Sequence, residues 1–229
     1  MSEEPMISRR GLISVGLGTA AGLIAERLTA AAPAGPDCAA ATPEQTSGPF
    51  YPTHDREDED PDLTHVKGRS ARASGEVIYV QGRVLDETCR PVGGALVEIW
   101  QANRYGRYDH EKDAGNPRPL DPNFQGWAEM LTDAEGRYRF KTIKPGSYPV
   151  EGDWIRPPHI HFKVSRRGYH ELITQLYFAG EPLNEADQIR RALAPEERDR
   201  VTVEFQSSPP ELEAGTQLGT FDITLRKVG

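Results

Sequence analysis

Short runs of apolar, β-branched and aromatic residues punctuate this chain, with turn-forming residues between them. Val77-Ile78-Tyr79-Val80-Gln81-Gly82-Arg83-Val84-Leu85 leads into Asp86 and then Pro91-Val92-Gly93-Gly94. That order predicts a strand closed by a turn. Ala95 to Gln101 predicts a second strand. Gln125 to Thr132 and Arg137 to Ile143 predict a pair joined by Asp133-Ala134-Glu135-Gly136. His159 to Ser165, Leu172 to Phe178, Val201 to Phe205 and Thr220 to Leu225 add further strands. Helical spacing shows in Asn184 to Ala194, where Ile189 and Leu193 share a face, and Pro195-Glu196-Glu197 extends or restarts it.

Many short strands and little helix predict an all-β fold. The expected architecture is an antiparallel β-sandwich with long active-site loops and one or two short helices. Ala102 to Asn123 is polar and rich in Gly, Pro and Asp, and reads as a functional loop. From Thr42 to Ser74 the chain is polar. Its structured part is Gln45-Thr46-Ser47-Gly48-Pro49-Phe50-Tyr51-Pro52, whose Gly-Pro and Tyr-Pro steps demand extended or turn backbone. Asp55 to Asp62 is a charge run that reads as a solvated loop. There is no internal repeat, no phosphate-binding glycine loop and no nucleophile elbow.

A length of 229 residues fits one domain with a leader. A net charge of -8 argues against nucleic-acid binding, which wants basic surface. No apolar run is long enough to span a bilayer, so stable membrane insertion is not expected. Ser8-Arg9-Arg10-Gly11-Leu12-Ile13 opens a Gly/Ala-rich apolar stretch, and Thr29-Ala30-Ala31-Ala32-Pro33-Ala34 offers small-residue cleavage sites. Those regions read as a twin-arginine export signal, making the mature protein periplasmic or secreted. That route carries folded proteins and suits one loaded with its cofactor before export. The expected divisions are a signal peptide over 1–35, a polar arm over 36–75 and the β-sandwich domain over 76–229. Cys38 and Cys89 are the two cysteines. A disulfide and two free thiols are both open readings.

The candidate chemistry centres on Arg156-Pro157-Pro158-His159-Ile160-His161-Phe162. In a strand, residues two apart point to one face, so His159 and His161 project together. Alone, the pair is more often half-buried histidine than a metal site. Tyr108, in Gly106-Arg107-Tyr108-Asp109-His110, and Tyr148, in Pro145-Gly146-Ser147-Tyr148-Pro149, are each more often packing residues. Together, two imidazoles and two phenolates make a distinctive set. A phenolate is a hard, anionic oxygen donor that suits Fe(III), and two of them favour the ferric over the ferrous state. Zinc sites usually use Cys, His and carboxylate instead.

These segments, with Val97 to Asn103, Leu120 to Phe124, Thr142 to Ile143 and Leu172 to Phe178, resemble the intradiol ring-cleavage dioxygenases. Within that family the likeness leans to the protocatechuate-cleaving branch. It runs from about Gln45 to Leu225. The resemblance implies a non-haem Fe(III) held by Tyr108, Tyr148, His159 and His161, with Tyr148 axial. It implies catalytic roles for Arg156 and Tyr148, and a supporting one for Gln175. The implied reaction inserts both atoms of O2 between the two hydroxyl-bearing carbons of a catechol, giving a cis,cis-muconate-type diacid. The implied partners are a catecholic small molecule and O2, in a homo- or hetero-oligomer. Two other readings stay open at this point. One is a non-catalytic sandwich module. The other is a metalloenzyme that uses His159 and His161 without the tyrosines.

Overall fold

Two five-stranded sheets pack against each other, and a two-stranded ribbon sits beside them. The computed structural model describes Cys38, residues 40–53 and residues 58–229. The twin-arginine stretch and its cleavage region lie outside the described residues, as does part of the Asp55 to Asp62 run.

The first sheet is organised on β1 (Val77–Asp86). One edge pairs antiparallel with β4 (Arg137–Ile143). Along another edge run β11 (Gln217–Thr220) and then β12 (Ile223–Leu225), both parallel to β1. The register runs from Ile78 opposite Gln217 to Gln81 opposite Thr220, and resumes unchanged with Val84 opposite Ile223. The break falls at Phe221 and Asp222, beside Gly82. A Cβ on Gly82 would lie 1.9 Å from Phe221 O, so only glycine admits this approach. β10 (Phe205–Ser207) pairs antiparallel with β11 and completes the sheet.

The second sheet has the order β3 (Trp127–Leu131), β2 (Leu96–Trp100), β7 (His159–Ser165), β8 (Leu172–Phe178), β9 (Thr202–Val203). Its pairings are antiparallel except β8 with β9. The sandwich is therefore the expected all-β architecture, largely antiparallel, with parallel pairing where β9, β11 and β12 join. Those late strands arrive through long connections, which permit a parallel approach that a tight hairpin does not. The helices are short, α1 (Gln188–Arg191) and α2 (Pro195–Arg200). Asp187 caps α1 by accepting from Arg190 N, and Pro195 opens α2, so the helical stretch splits in two. Among the described residues, no helix is long and apolar enough to cross a membrane.

The core lies between the sheets. Ile160, Phe162 and Val164 of β7 point into it and meet Ile78, Val80, Phe140 and Ile223 from the first sheet. Strand periodicity then forces His159, His161 and Lys163 onto the outer face of the second sheet. Burying that inner row stabilises the fold and fixes where the histidines point.

Cys38 and Cys89 form a disulfide, which the sequence left open. It ties the start of the arm to the turn after β1. The arm then holds on by backbone hydrogen bonds, Thr42 N to Thr224 O at 3.0 Å and Gln45 N to Ile173 O at 2.7 Å. Leu63, further along, is fully buried in the core. The bridge closes a loop of 51 residues. Its loss in a Cys38→Ser/Cys89→Ser variant is expected to cost about 2–4 kcal/mol of stability, measured by denaturant unfolding against the oxidised parent. An unchanged midpoint would show that the arm is held without it.

Candidate metal centre

The outer face of β7 and β8 carries the site. In register, His159 lies opposite Tyr177 and His161 opposite Gln175. On the other side of β7, Trp100 of β2 lies opposite His161. His159, His161, Gln175 and Tyr177 are buried, none more than 2% exposed.

His159 is oriented by a hydrogen bond, with Nδ1–H donating to Pro157 O at 2.7 Å. That bond places the proton on Nδ1 and leaves the Nε2 lone pair free. Nε2 faces His161 Nε2 at 3.2 Å. His161 is held differently. Its ring stacks on Trp100, with centroids 4.8 Å apart and planes 5° from parallel. Gly48 also packs on it, since a Cβ there would lie 3.5 Å from His161 Cε1. Among the described residues, its Nδ1 has no hydrogen-bond partner. Burial, reinforced by the charge of Arg156, drives both imidazoles well below the usual histidine value. Both are therefore neutral, which is the ligating form.

The tyrosines come from two turns pressed backbone to backbone. Gly146 N donates to Asn103 O at 2.9 Å. A Cβ on Gly146 would lie 2.4 Å from Arg104 O, and one on Gly106 2.1 Å from Ser147 O. Glycine at both positions lets the two turns close, which brings the Tyr108 and Tyr148 rings to 5.6 Å at 87°. Phe50 of the arm stacks on Tyr108 at 4.5 Å. Tyr148 is 5.7 Å from His159, ring to ring. Tyr108 Oη is buried and, among the described residues, has the Tyr148 hydroxyl as its polar neighbour. Burial raises Tyr108 well above the usual phenol range and raises Tyr148 too, while Arg156 pulls both down.

Arg156 enters from the ribbon of β5 (Tyr148–Pro149) and β6 (Ile155–Arg156), directly opposite Tyr148. It is 3% exposed. Its Nε donates to Asp187 Oδ2 at 2.7 Å, and Nη2 donates to Gln175 Oε1 at 2.6 Å. Gln175 is held in turn by donating from Nε2 to Thr46 O at 2.9 Å. All six residues singled out in the sequence, Tyr108, Tyr148, Arg156, His159, His161 and Gln175, thus meet in one buried cluster.

The structure adds residues the sequence did not mark. Asp187 neutralises Arg156. Tyr177 Oη donates to Gln45 Oε1 at 3.0 Å and ties the arm to β8. Phe50, Gly48 and Trp100 wall the ligand rings. The two-residue period in β8 puts Tyr177 on the Gln175 face, so Tyr177 had a readable signal. Asp187 had none.

These donors fit a trivalent cation. The His159 and His161 Nε2 atoms converge, the buried Tyr108 and Tyr148 hydroxyls are neighbours, and two deprotonated phenols would bring two negative charges. Among the described residues, no cluster of three or more His, Cys, Asp or Glu side chains could hold a metal ion, so a metal here needs the tyrosines. A surface cleft of about 730 Å³ on the first sheet, lined by Arg83, Arg137, Arg139 and Asp222 among others, contains none of the six.

Comparison with known proteins identifies the family. A family model described as Dioxygenase matches residues 46–227. The protocatechuate 3,4-dioxygenase beta chain of Burkholderia cepacia is 46% identical over 183 residues, covering 78% of this chain and 76% of that one. Catechol 1,2-dioxygenase of Candida albicans is 36% identical over 141 residues, 56% of this chain but 43% of that enzyme. Among solved structures, the dioxygenase domain of a carbohydrate-binding fusion protein from Streptomyces sp. SirexAA-E superposes with a TM-score of 0.60 at 29% identity, over 82% of this chain and all of that domain. Sequence, fold and site together place this chain in the intradiol ring-cleavage dioxygenase family.

Proposed function

We propose that Tyr108, Tyr148, His159 and His161 hold the non-haem Fe(III) with which this dioxygenase opens a catechol ring between its two hydroxyl-bearing carbons. The observation that carries the proposal is the convergence of two neutral imidazoles and two buried phenols. Ferric iron held by these four residues would supply Lewis acidity toward the two oxygens of a diol and so favour attack of O2 on the ring. The protein supplies the rest. Tyr148 lies beside Arg156, and burial raises the proton affinity of its phenolate. It is therefore a base suited to taking a hydroxyl proton from the incoming diol. Arg156 faces the negative charge that builds on the ring. The surrounding apolar wall of Phe50, Trp100 and Tyr108 excludes bulk water. The substrate supplies all the electrons that O2 receives, so no external reductant enters.

Tyr148→Phe is expected to retain iron while kcat falls about 100-fold, as loss of a positioned base does. Iron analysis and oxygen uptake check this, and unchanged turnover would remove Tyr148 from the base role.

For substrate we propose a protocatechuate-like diol, supported by the 46% identity to the Burkholderia beta chain. The same likeness supports assembly with a second, non-iron chain, or with further copies of this one. An oxygen-electrode screen of catechol, protocatechuate and hydroxyquinol ranks the substrates. We also propose export by the twin-arginine route and removal of residues 1–35, leaving arm and domain as the mature protein. The Arg9-Arg10 pair and the Cys38–Cys89 disulfide, a bond that persists in oxidising compartments, support it. Arg9→Lys/Arg10→Lys is expected to hold the protein in the cytoplasm.

A further inference from the structure

We infer that Asp187 is a positioning residue for ring cleavage, acting through Arg156: its carboxylate fixes which edge of the guanidinium is left free to meet the reacting substrate. The inference rests on the reading above, in which Arg156 faces charge on the ring.

A guanidinium carries five N–H donors. Nε is taken by Asp187 at 2.7 Å. Nη2 is taken by Gln175 at 2.6 Å, with Tyr177 Oη further off at 3.4 Å. Among the described residues, none of these bonds falls on Nη1, and the Tyr148 hydroxyl is the further partner of the guanidinium. The three acceptors come from two elements, two from β8 and one from the start of α1, so the plane and roll of the group are both set. Asp187 could have gripped Arg156 through two parallel bonds, the usual geometry for this pair. Here Gln175 occupies Nη2, and Asp187 is confined to Nε. Tyr148, which also interacts with the guanidinium, lies directly across the ribbon.

Asp187 itself is fully buried. Its other oxygen, Oδ1, accepts from Arg190 N at 2.8 Å. One carboxylate therefore both caps α1 and balances a buried cation. A purely structural cap would be served as well by asparagine. A residue that balances and aims Arg156 would not, because the amide carries no charge. An unbalanced guanidinium would turn toward other acceptors and lose its alignment.

The test uses the full-length, iron-loaded protein with protocatechuate as probe. In Asp187→Asn, iron content is expected to stay at the wild-type level. Anaerobic binding of protocatechuate should weaken by less than about 3-fold, while kcat falls about 10- to 100-fold, the pattern of an interaction made in the transition state. The double variant Arg156→Gln/Asp187→Asn removes both charges, so it also serves if the single variant folds poorly. Its kcat is expected to match that of Arg156→Gln alone, because Asp187 acts only through Arg156. A kcat for Asp187→Asn within about 2-fold of wild type would overturn the inference, as would independent, multiplicative losses in the double variant. Either result would leave ring cleavage standing. Absence of oxygen uptake by the wild type with every diol in the screen would instead remove that reading, and this inference with it.

Discussion

Replacing Tyr108 with phenylalanine is expected to strip the iron-loaded protein of its visible colour and abolish ring opening, while leaving the sandwich folded. The polar neighbour of the hydroxyl among the described residues is the Tyr148 hydroxyl, which keeps Arg156 beside it, so removal strands no group. The ring stays packed between Phe50 and Tyr148. Stability of the metal-free protein should therefore change by less than about 1 kcal/mol. Iron retention should fall further than the roughly 10- to 100-fold that loss of a supporting hydrogen bond costs a metal site. Iron analysis, visible absorption and thermal unfolding of the two metal-free proteins separate these effects. Full colour and turnover in Tyr108→Phe would return the site to a two-histidine reading.

Arg156→Gln is expected to act on both fold and function. Asp187 would remain as a buried charge without its cation, and breaking a buried pair from one side costs about 3–5 kcal/mol. Glutamine also lacks the charge that faces the ring, so turnover should fall about 100- to 1000-fold, the scale of a lost electrostatic stabiliser. Urea unfolding and oxygen uptake measure the two losses. Wild-type turnover in a destabilised variant would confine Arg156 to a structural role.

The strand pattern was legible because each long strand carries its own signal. β4, β7 and β8 fall where their β-branched and aromatic residues predict them. Within β7, alternation alone put Ile160 and Phe162 inward and the histidines outward. β11, Gln217 to Thr220, lacks a run of β-branched or aromatic residues, and its pairing to β1 depends on a distant partner. The ribbon that sets Arg156 against Tyr148 is two residues on each side, too short for any periodicity. The Ile189 and Leu193 spacing marked the helical stretch, and of the two readings left for Pro195 the restart is the one found, giving two short helices.

The site was legible in a different way. Tyr108, Tyr148, His159 and His161 stood out by residue type and by resemblance, while nothing local linked them. The links are tertiary: Gly106 and Gly146 let two turns meet, Trp100 stacks on His161, and the arm lays Phe50 on Tyr108. The Cys38–Cys89 bridge and the Asp187–Arg156 pair depend wholly on how the chain returns on itself.

The central claim is that two phenolates and two imidazoles hold ferric iron here. The visible absorption spectrum of the purified, iron-loaded wild-type protein, with its iron content, tests that most directly. The account predicts stoichiometric iron and a burgundy-red protein, from tyrosinate-to-iron charge transfer. A correctly folded, iron-loaded protein without that absorption would contradict it.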